Sequence, residues 1–430
     1  MSIWFGRSKA GALTGCFLSF LLATSTQACP GLILAYQLPR GLPPIQRDSL
    51  QLLAYEEGSA PWRPIAMQID PLDEEGSLIF PKDPKWMQQD LGPYDRLSFR
   101  VQDFGRKLDP SAPRPCPGAE WIELRSQDKF AYLVHCRKHT YKGDAPVTLD
   151  EKERRVSSSQ YEYAYTPENH LIFDQIRLQS AEGKLETAAI KGDLLIVSDV
   201  KRFFTLVFDS SDIDAKITSK RSGPMGLMGG LQFFLRILAF RIELALEPEV
   251  NFFGDSLFMP MMMHLPVDAT RYLRRGSGIY YTWETGPETS WLLDKSRLEE
   301  LSLDALDPSS STPLGRSSDT YCGAVMCRYR LLGRVKNRLV ALHFAINRKA
   351  ADLGFYPRLI RDVAAVEKTI GRKISRYPAS GRIGVYFETA RLPEGTHTWD
   401  FWIHFPEQEN SPCTVPVRAQ RLLADKDLAP

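Results

Sequence analysis

Trp121-Ile122-Glu123-Leu124-Arg125-Ser126-Gln127-Asp128-Lys129-Phe130-Ala131-Tyr132-Leu133-Val134 decides the fold class. Two short apolar stretches flank a polar turn, Ser126 to Lys129, which is the pattern of a β-hairpin. Cys116 and Cys136 stand just outside its open end. The same texture continues in both directions. Residues 97–101 alternate apolar and polar with period two. Residues 50–55 and 65–69 are short apolar stretches bounded by Gly-Ser and Pro, and strands are expected again at 171–176, 194–197 and 203–208. The 30 prolines and 29 glycines are spread along the chain rather than clustered, which suits many short strands joined by turns.

Further out, residues 137–165 are polar, nearly all ionic from Glu151 to Arg155, and read as a long loop or a sheet edge. Residues 223–265 carry a glycine- and methionine-rich opening and close on Met261-Met262-Met263-His264; they read as paired core strands with methionine filling gaps. A last hairpin is predicted from 382–389 and 396–405 around Leu392-Pro393-Glu394-Gly395. On its second strand His397, Trp399, Phe401, Ile403 and Phe405 share one face, and Thr398, Asp400, Trp402 and His404 the other. One helix is predicted near 358–371, where Leu359, Val363, Val366 and Ile370 recur at helical spacing after Pro357 and before Gly371. The expected fold is therefore mainly β, with stacked antiparallel sheets in a β-sandwich or supersandwich and one inserted helix. The expected division is a signal peptide at 1–28, an N-terminal β domain at 29–165 and a sandwich-like C-terminal domain at 166–430.

The signal peptide follows from order alone. Arg7 and Lys9 precede the apolar run 10–23, and Thr24-Ser25-Thr26-Gln27-Ala28 supplies small residues before a cleavage point at Ala28. The run is shorter than the ~20 residues of a membrane span. The mature chain is expected to be exported, periplasmic or extracellular, with no transmembrane span. Cys29 would then be its first residue, the position of a lipid anchor, but Thr26 stands where a lipoprotein signal carries leucine. A free exported protein is the favoured reading.

The charges sharpen this. The chain carries 54 Lys+Arg against 52 Asp+Glu; without Arg7 and Lys9 the balance is 52 to 52. A nucleic-acid partner needs a basic face to displace counterions, so none is expected. Apart from Cys16 in the signal, six cysteines remain: Cys29, Cys116, Cys136, Cys322, Cys327 and Cys413. In an oxidising compartment an even set reads as disulfides, with fifteen pairings open. Locality favours Cys116–Cys136 and Cys322–Cys327, leaving Cys29–Cys413.

No G-x-S-x-G elbow, H-E-x-x-H, Walker loop or dinucleotide fingerprint is present, and no cofactor is expected. Three constellations have chemistry to offer. Asp70, Asp73 and Glu75, ahead of Gly76, form an oxygen-rich turn that would suit calcium, although an EF-hand spacing is missing and an acidic hairpin turn has the same composition. Trp402 with Asp400 and His404 could stack on a sugar ring and take its hydroxyls, if that strand face is uncovered. His264 and Tyr281, with Arg271 and Arg274, could supply the base and the cations of a lyase, or could be structural.

Trp62-Arg63-Pro64-Ile65-Ala66-Met67-Gln68-Ile69-Asp70 and Asp95-Arg96-Leu97-Ser98-Phe99-Arg100-Val101-Gln102-Asp103-Phe104-Gly105 resemble an uncharacterised group of exported bacterial β-rich proteins. In that group a W-x-P-x-x-x-Q-x-D strand and a D-E-L-x-F-x-x-x-D-x-G strand recur near the mature N-terminus. Arg96 stands here in place of the usual acid. Ser222-Gly223-Pro224 and Leu392-Pro393-Glu394-Gly395-Thr396-His397 are similar to elements of β-sandwich and supersandwich proteins acting on carbohydrate. The resemblance implies no activity. The functional expectation is an exported, non-catalytic envelope protein that binds a glycan or an envelope protein through a β-sheet face. The alternative is a polysaccharide lyase or related carbohydrate-active enzyme.

Overall fold

A computed structural model of the chain describes residues 31–34, 45–58, 60–74, 78–81, 90–116, 121–135, 145–180, 182–201, 204–237, 240–244, 249–265, 267–292, 299–300, 326–405 and 418–422, with single positions 38, 83, 86, 119, 141 and 143. The described residues are mainly β, arranged as stacked antiparallel sheets. The predicted hairpin is present as Trp121–Ser126 and Lys129–His135, with Ser126 opposite Lys129 and Gln127 in the left-handed region at φ 55°.

Two large sheets form the main sandwich. One has nine strands, running Ile213–Ser222, Gly226–Ile237, Glu249–Phe253, Ser256–Leu265, Gly395–His404, Arg338–Asn347, Met326–Val335 and Thr289–Leu292, with Phe240–Leu244 also on Gly226–Ile237. The other has ten, centred on Leu185–Asp199, Gly278–Thr285 and Arg382–Glu388. Their facing residues make one apolar core, in which Tyr163, Ile176 and Phe387 of the ten-stranded sheet meet Leu257, Phe344 and Phe401 of the other. The long alternating strands make this possible, because every second residue along each reaches the same layer. Met259 and Met228 are buried, as expected of gap-filling methionine.

A smaller sandwich lies ahead of it. Gly31–Leu34, Arg96–Phe99 and Met67–Asp70 form a three-stranded sheet. It packs on a five-stranded sheet of Arg418–Leu422, Trp121–Ser126, Lys129–His135, Leu50–Tyr55 and Trp62–Ile65 through Leu52, Ile69, Leu97, Phe99, Leu124 and Leu133. The chain thus returns to its first sandwich at 418–422. The strands Val147–Asp150, Arg155–Ser158 and Tyr161–Tyr165 form the edge of the ten-stranded sheet, so sheet membership changes before residue 147 rather than at 165.

Two local expectations need correction. The strands at 382–389 and 396–405 exist, as Arg382–Glu388 and Gly395–His404, but they do not pair. They lie in opposite sheets, and the turn between them crosses the sandwich. Their aromatic faces look at each other across the core, with the Phe387 and Trp399 rings 6.3 Å apart and Phe344 against both Phe387 and Phe401. The helix is shorter than expected. Asp362 caps it by accepting from Ala364 and Ala365, it runs Val363–Ile370, and Gly371 ends it at φ 68°. Leu359 sits instead in the strand Arg358–Ile360. Two shorter helices, Ala269–Tyr272 and Arg348–Asp352, join it among the described residues.

Cys116 and Cys327 each take part in a disulfide. Cys29, Cys136, Cys322 and Cys413 lie outside the described residues, as does the signal segment. No helix of the described residues is long and apolar enough to cross a membrane.

Candidate functional site

The two strand motifs near the N-terminus meet the nine-stranded sheet at a buried charged seam. Asp70 and Arg96 pair across adjacent strands. The Arg96 guanidinium spans Glu249, at 2.6 and 3.2 Å, and reaches Asn251 at 3.3 Å and Asp70 at 3.7 Å. Gln68 donates to Asp70 at 2.8 Å and accepts from the Met225 amide at 3.3 Å, while Arg221 donates to the Ile69 carbonyl at 2.7 Å and to Asp70 at 3.2 Å. A Cβ at Gly223 would collide with the Gln68 amide, so the Ser222-Gly223-Pro224 element and the W-x-P-x-x-x-Q-x-D strand are fitted to one another. Next door, Asp95 takes two bonds from Arg47 and one from the Gly92 amide. Buried charges persist only when paired and hydrogen-bonded, and here four strands supply the partners.

Asp400 belongs to the same seam. Burial pushes its carboxyl up to about 7, the Glu249 carboxylate pushes the same way, and Arg96 and Arg328 oppose the shift. Register explains the company it keeps: Asp400 lies opposite Pro260 on one neighbouring strand and Ala345 on the other.

The predicted sugar platform is placed as follows. Trp402, Asp400 and His404 do share one face of their strand, but that face is covered. Trp402 is 4% exposed, stacks on Phe258 at 4.0 Å and packs with Ala66, Leu78, Met225 and Met228. His404 is buried at 3%. The smaller sandwich and its loop around Leu78 occupy the space a sugar would need, so Trp402 offers no free ring face.

The calcium turn does not assemble either. Both oxygens of Asp70 face guanidinium groups rather than a cation site. Glu75 lies outside the described residues, and no group of metal-ligating side chains occurs among the described residues, Asp73 included.

The lyase set is dispersed. Tyr281 lies between the large sheets with its hydroxyl buried and without a hydrogen-bond partner among the described residues, and burial holds it protonated far above the usual phenol range. Arg271 is 75% exposed and pairs with Asp268; Arg274 is exposed; Arg275 faces Glu388, which is also held by Arg358 at 3.2 Å and Arg391. A phenol sealed in the core cannot share a substrate with these surface cations. His264 is on the strand Ser256–Leu265, opposite Thr396; its side chain lies outside the described set.

A cavity of about 50 Å³ sits beside Tyr281, walled by Met259, Met261, Ile279, Phe344, Trp399 and Phe401. Its lining is almost wholly apolar, and it has room for a few methyl-sized groups.

The outer surface carries a different feature, which sequence reading missed. Among the described residues nine large apolar side chains are strongly exposed, and five of them fall within two short segments: Phe204 (56%), Leu206 and Val207, then Val267 and Tyr272 (50%). The segments are tied together. Val200 bridges Leu273, the Lys201 amide donates to the Tyr272 carbonyl at 2.7 Å and the Arg274 amide to the Asp199 carbonyl at 2.9 Å. Among the described residues the strand Thr205–Asp209 pairs only with Leu185–Asp199, which leaves its other edge open. Lys201, Arg271 and Arg274 are exposed on the neighbouring stretches of chain. Sequence offered one hint, a predicted strand at 203–208 with no polar alternation.

No protein-family model matches the chain, and no curated protein matches it significantly. Among solved structures the chain is similar to an alpha-mannosidase from Enterococcus faecalis V583, at 10% identity and TM-score 0.39, over 93% of this chain and 45% of that one. It is similar also to a protein in the glycosyl hydrolase family 38 from Enterococcus faecalis, at 10% identity and TM-score 0.38, over 93% of this chain and 46% of that one. The chain spans less than half the length of these structures.

Proposed function

We propose that this is an exported, non-catalytic protein of the cell envelope that binds an envelope component at the exposed edge of its ten-stranded sheet. The observation that supports the reading is the exposure of Phe204, Leu206, Val207, Val267 and Tyr272 on two segments that backbone hydrogen bonds join through residues 199–201 and 272–274. Large apolar side chains left exposed on neighbouring segments are a mark of an interaction site. The non-catalytic half of the reading is supported by the seam, where Asp70, Arg96 and Glu249 neutralise one another inside the protein rather than around a cleft. The exported half follows from the signal-like first 28 residues.

The test is a panel of acidic and neutral polysaccharides incubated with the purified exported chain. Unsaturated-sugar absorbance and retardation in glycan-containing native gels are followed together. The reading expects no absorbance growth. Growth that His264→Ala abolishes would overturn it in favour of a lyase, and retardation without product would make the bound envelope component a glycan.

A further inference from the structure

The strand Thr205–Asp209 leaves a particular set of backbone groups free. The Val200 amide donates to the Phe204 carbonyl at 2.8 Å, and Ser198 lies opposite Leu206. Hydrogen-bonded and non-bonded pairs alternate along an antiparallel ladder. Leu206 and Phe208 therefore turn their amides and carbonyls toward Leu185–Asp199, while Thr205, Val207 and Asp209 turn theirs outward. Asp209 is already satisfied there: its amide donates to the Asp212 carboxylate at 3.0 Å, and its carbonyl accepts from the Asp212 amide at 2.9 Å. Among the described residues the outward groups of Thr205 and Val207 have no hydrogen-bond partner. Side chains do not guard this edge. Thr205 and Val207 are exposed on one face and Leu206 on the other, and residues 203–208 contain neither charge nor proline, the usual defences of an open strand.

We infer that a second copy of this chain pairs with Thr205–Asp209, antiparallel, about a two-fold axis at Leu206. That register sets Thr205 opposite the partner's Val207, and each amide donates to the other's carbonyl on both sides of the axis. Leu206 then faces the partner's Leu206 in a non-hydrogen-bonded pair, where side chains come closest. Moving the axis to Val207 would set Thr205 against Asp209, whose backbone groups are taken. Charge favours the same orientation. Lys201 precedes the apolar stretch, and Asp209 and Asp212 follow it. Antiparallel pairing brings Lys201 toward the partner's two carboxylates, whereas parallel pairing would set like charges side by side. The pairing takes the backbone edge and leaves the exposed side-chain faces to the envelope component, so it goes beyond the envelope reading and stands apart from it.

Sedimentation equilibrium of the purified exported chain, from low to high micromolar concentration, tests this. The paired area is small, so a dimer that builds up with concentration is expected. Val207→Pro removes an outward amide and no bond inside the monomer, and it is expected to weaken the dimer about 30-fold, because two of its hydrogen bonds go. Leu206→Lys and Leu206→Glu are each expected to be monomeric, since like charges would then meet at the axis. Mixing these two is expected to restore a dimer, because the axis sets position 206 against itself. Both positions are exposed, and an unchanged thermal melt confirms folding; the Leu206 pair carries the test if proline disturbs the strand. A wild type that stays monomeric throughout, or a dimer that survives Val207→Pro and Leu206→Lys, would overturn the inference. Self-association lost in Leu206→Lys and not restored by Leu206→Glu would overturn the register, and with it the two-fold pairing. A monomeric wild type that still pellets with envelope fragments would remove the second copy and leave the envelope reading standing.

Discussion

Arg96 and Glu249, 153 residues apart, form a buried two-pronged ion pair that fastens the small sandwich to the large one. Each end has further partners, Asp70 and Asn251 on the arginine and Asp400 near the glutamate. The two N-terminal strand motifs are therefore accounted for by docking. Their polar residues build the seam, and their apolar residues build the small core.

Removing one side of this pair leaves a charge stranded in a dry place. Arg96→Met is expected to cost about 3–5 kcal/mol in urea unfolding. The double variant Arg96→Met/Glu249→Met is expected to recover much of the loss, because neither charge then remains alone. A double variant as unstable as the sum of the two single ones would show that the pair is not coupled.

Asp400 makes stability depend on pH in an unusual direction. Its folded-state carboxyl titrates near 7, above the unfolded value of about 4. Its contribution is fully present below pH 4 and is lost as pH rises to 7. Asp400→Asn is therefore expected to gain about 2 kcal/mol relative to wild type at pH 8, and the gain should vanish at pH 4. Equal effects at both pH values would contradict the assignment.

His170 works the other way. Its Nδ1 accepts from the Ile217 amide at 3.1 Å, and burial, then Lys216 and Arg154, push the imidazole down to about 4. The unfolded chain takes up a proton near 6.5, so this contribution is present at neutral pH and is lost as pH falls from 6.5 to 4. His170→Gln is expected to flatten thermal unfolding across that window, opposite in sign to Asp400→Asn.

Trp402→Ala separates packing from recognition. The indole stacks on Phe258 and lies near Phe253 under the small sandwich, so its loss is expected to cost about 3–5 kcal/mol. Ligand retardation measured on the folded fraction should not change. A selective loss of glycan retardation in a stable variant would restore the sugar platform.

The sequence made the strands legible where alternation was clean. Residues 121–134 give the observed hairpin, and the two faces of 395–404 were assigned correctly from period two. Alternation does not say what covers a face, so Trp402 looked available until Ala66 and Leu78 were seen over it. Nor does a turn say which strands pair. Leu392-Pro393-Glu394-Gly395 reads as a hairpin, yet the gain from facing Phe387 against Trp399 carries the chain across the sandwich. The helix start was missed by a few residues because Asp362 outbids Leu359 as a beginning. The seam was invisible, since nothing near Arg96 in the chain announces Glu249. The exposed edge was visible only as a strand, because exposure depends on which neighbours a strand lacks.

The most direct test of the central claim is sedimentation of the exported chain with isolated envelope fragments, wild type against Phe204→Ser/Tyr272→Ser. The account predicts that wild type pellets with the fragments and that the folded variant stays in solution. Equal pelleting of both, or of neither, would contradict it.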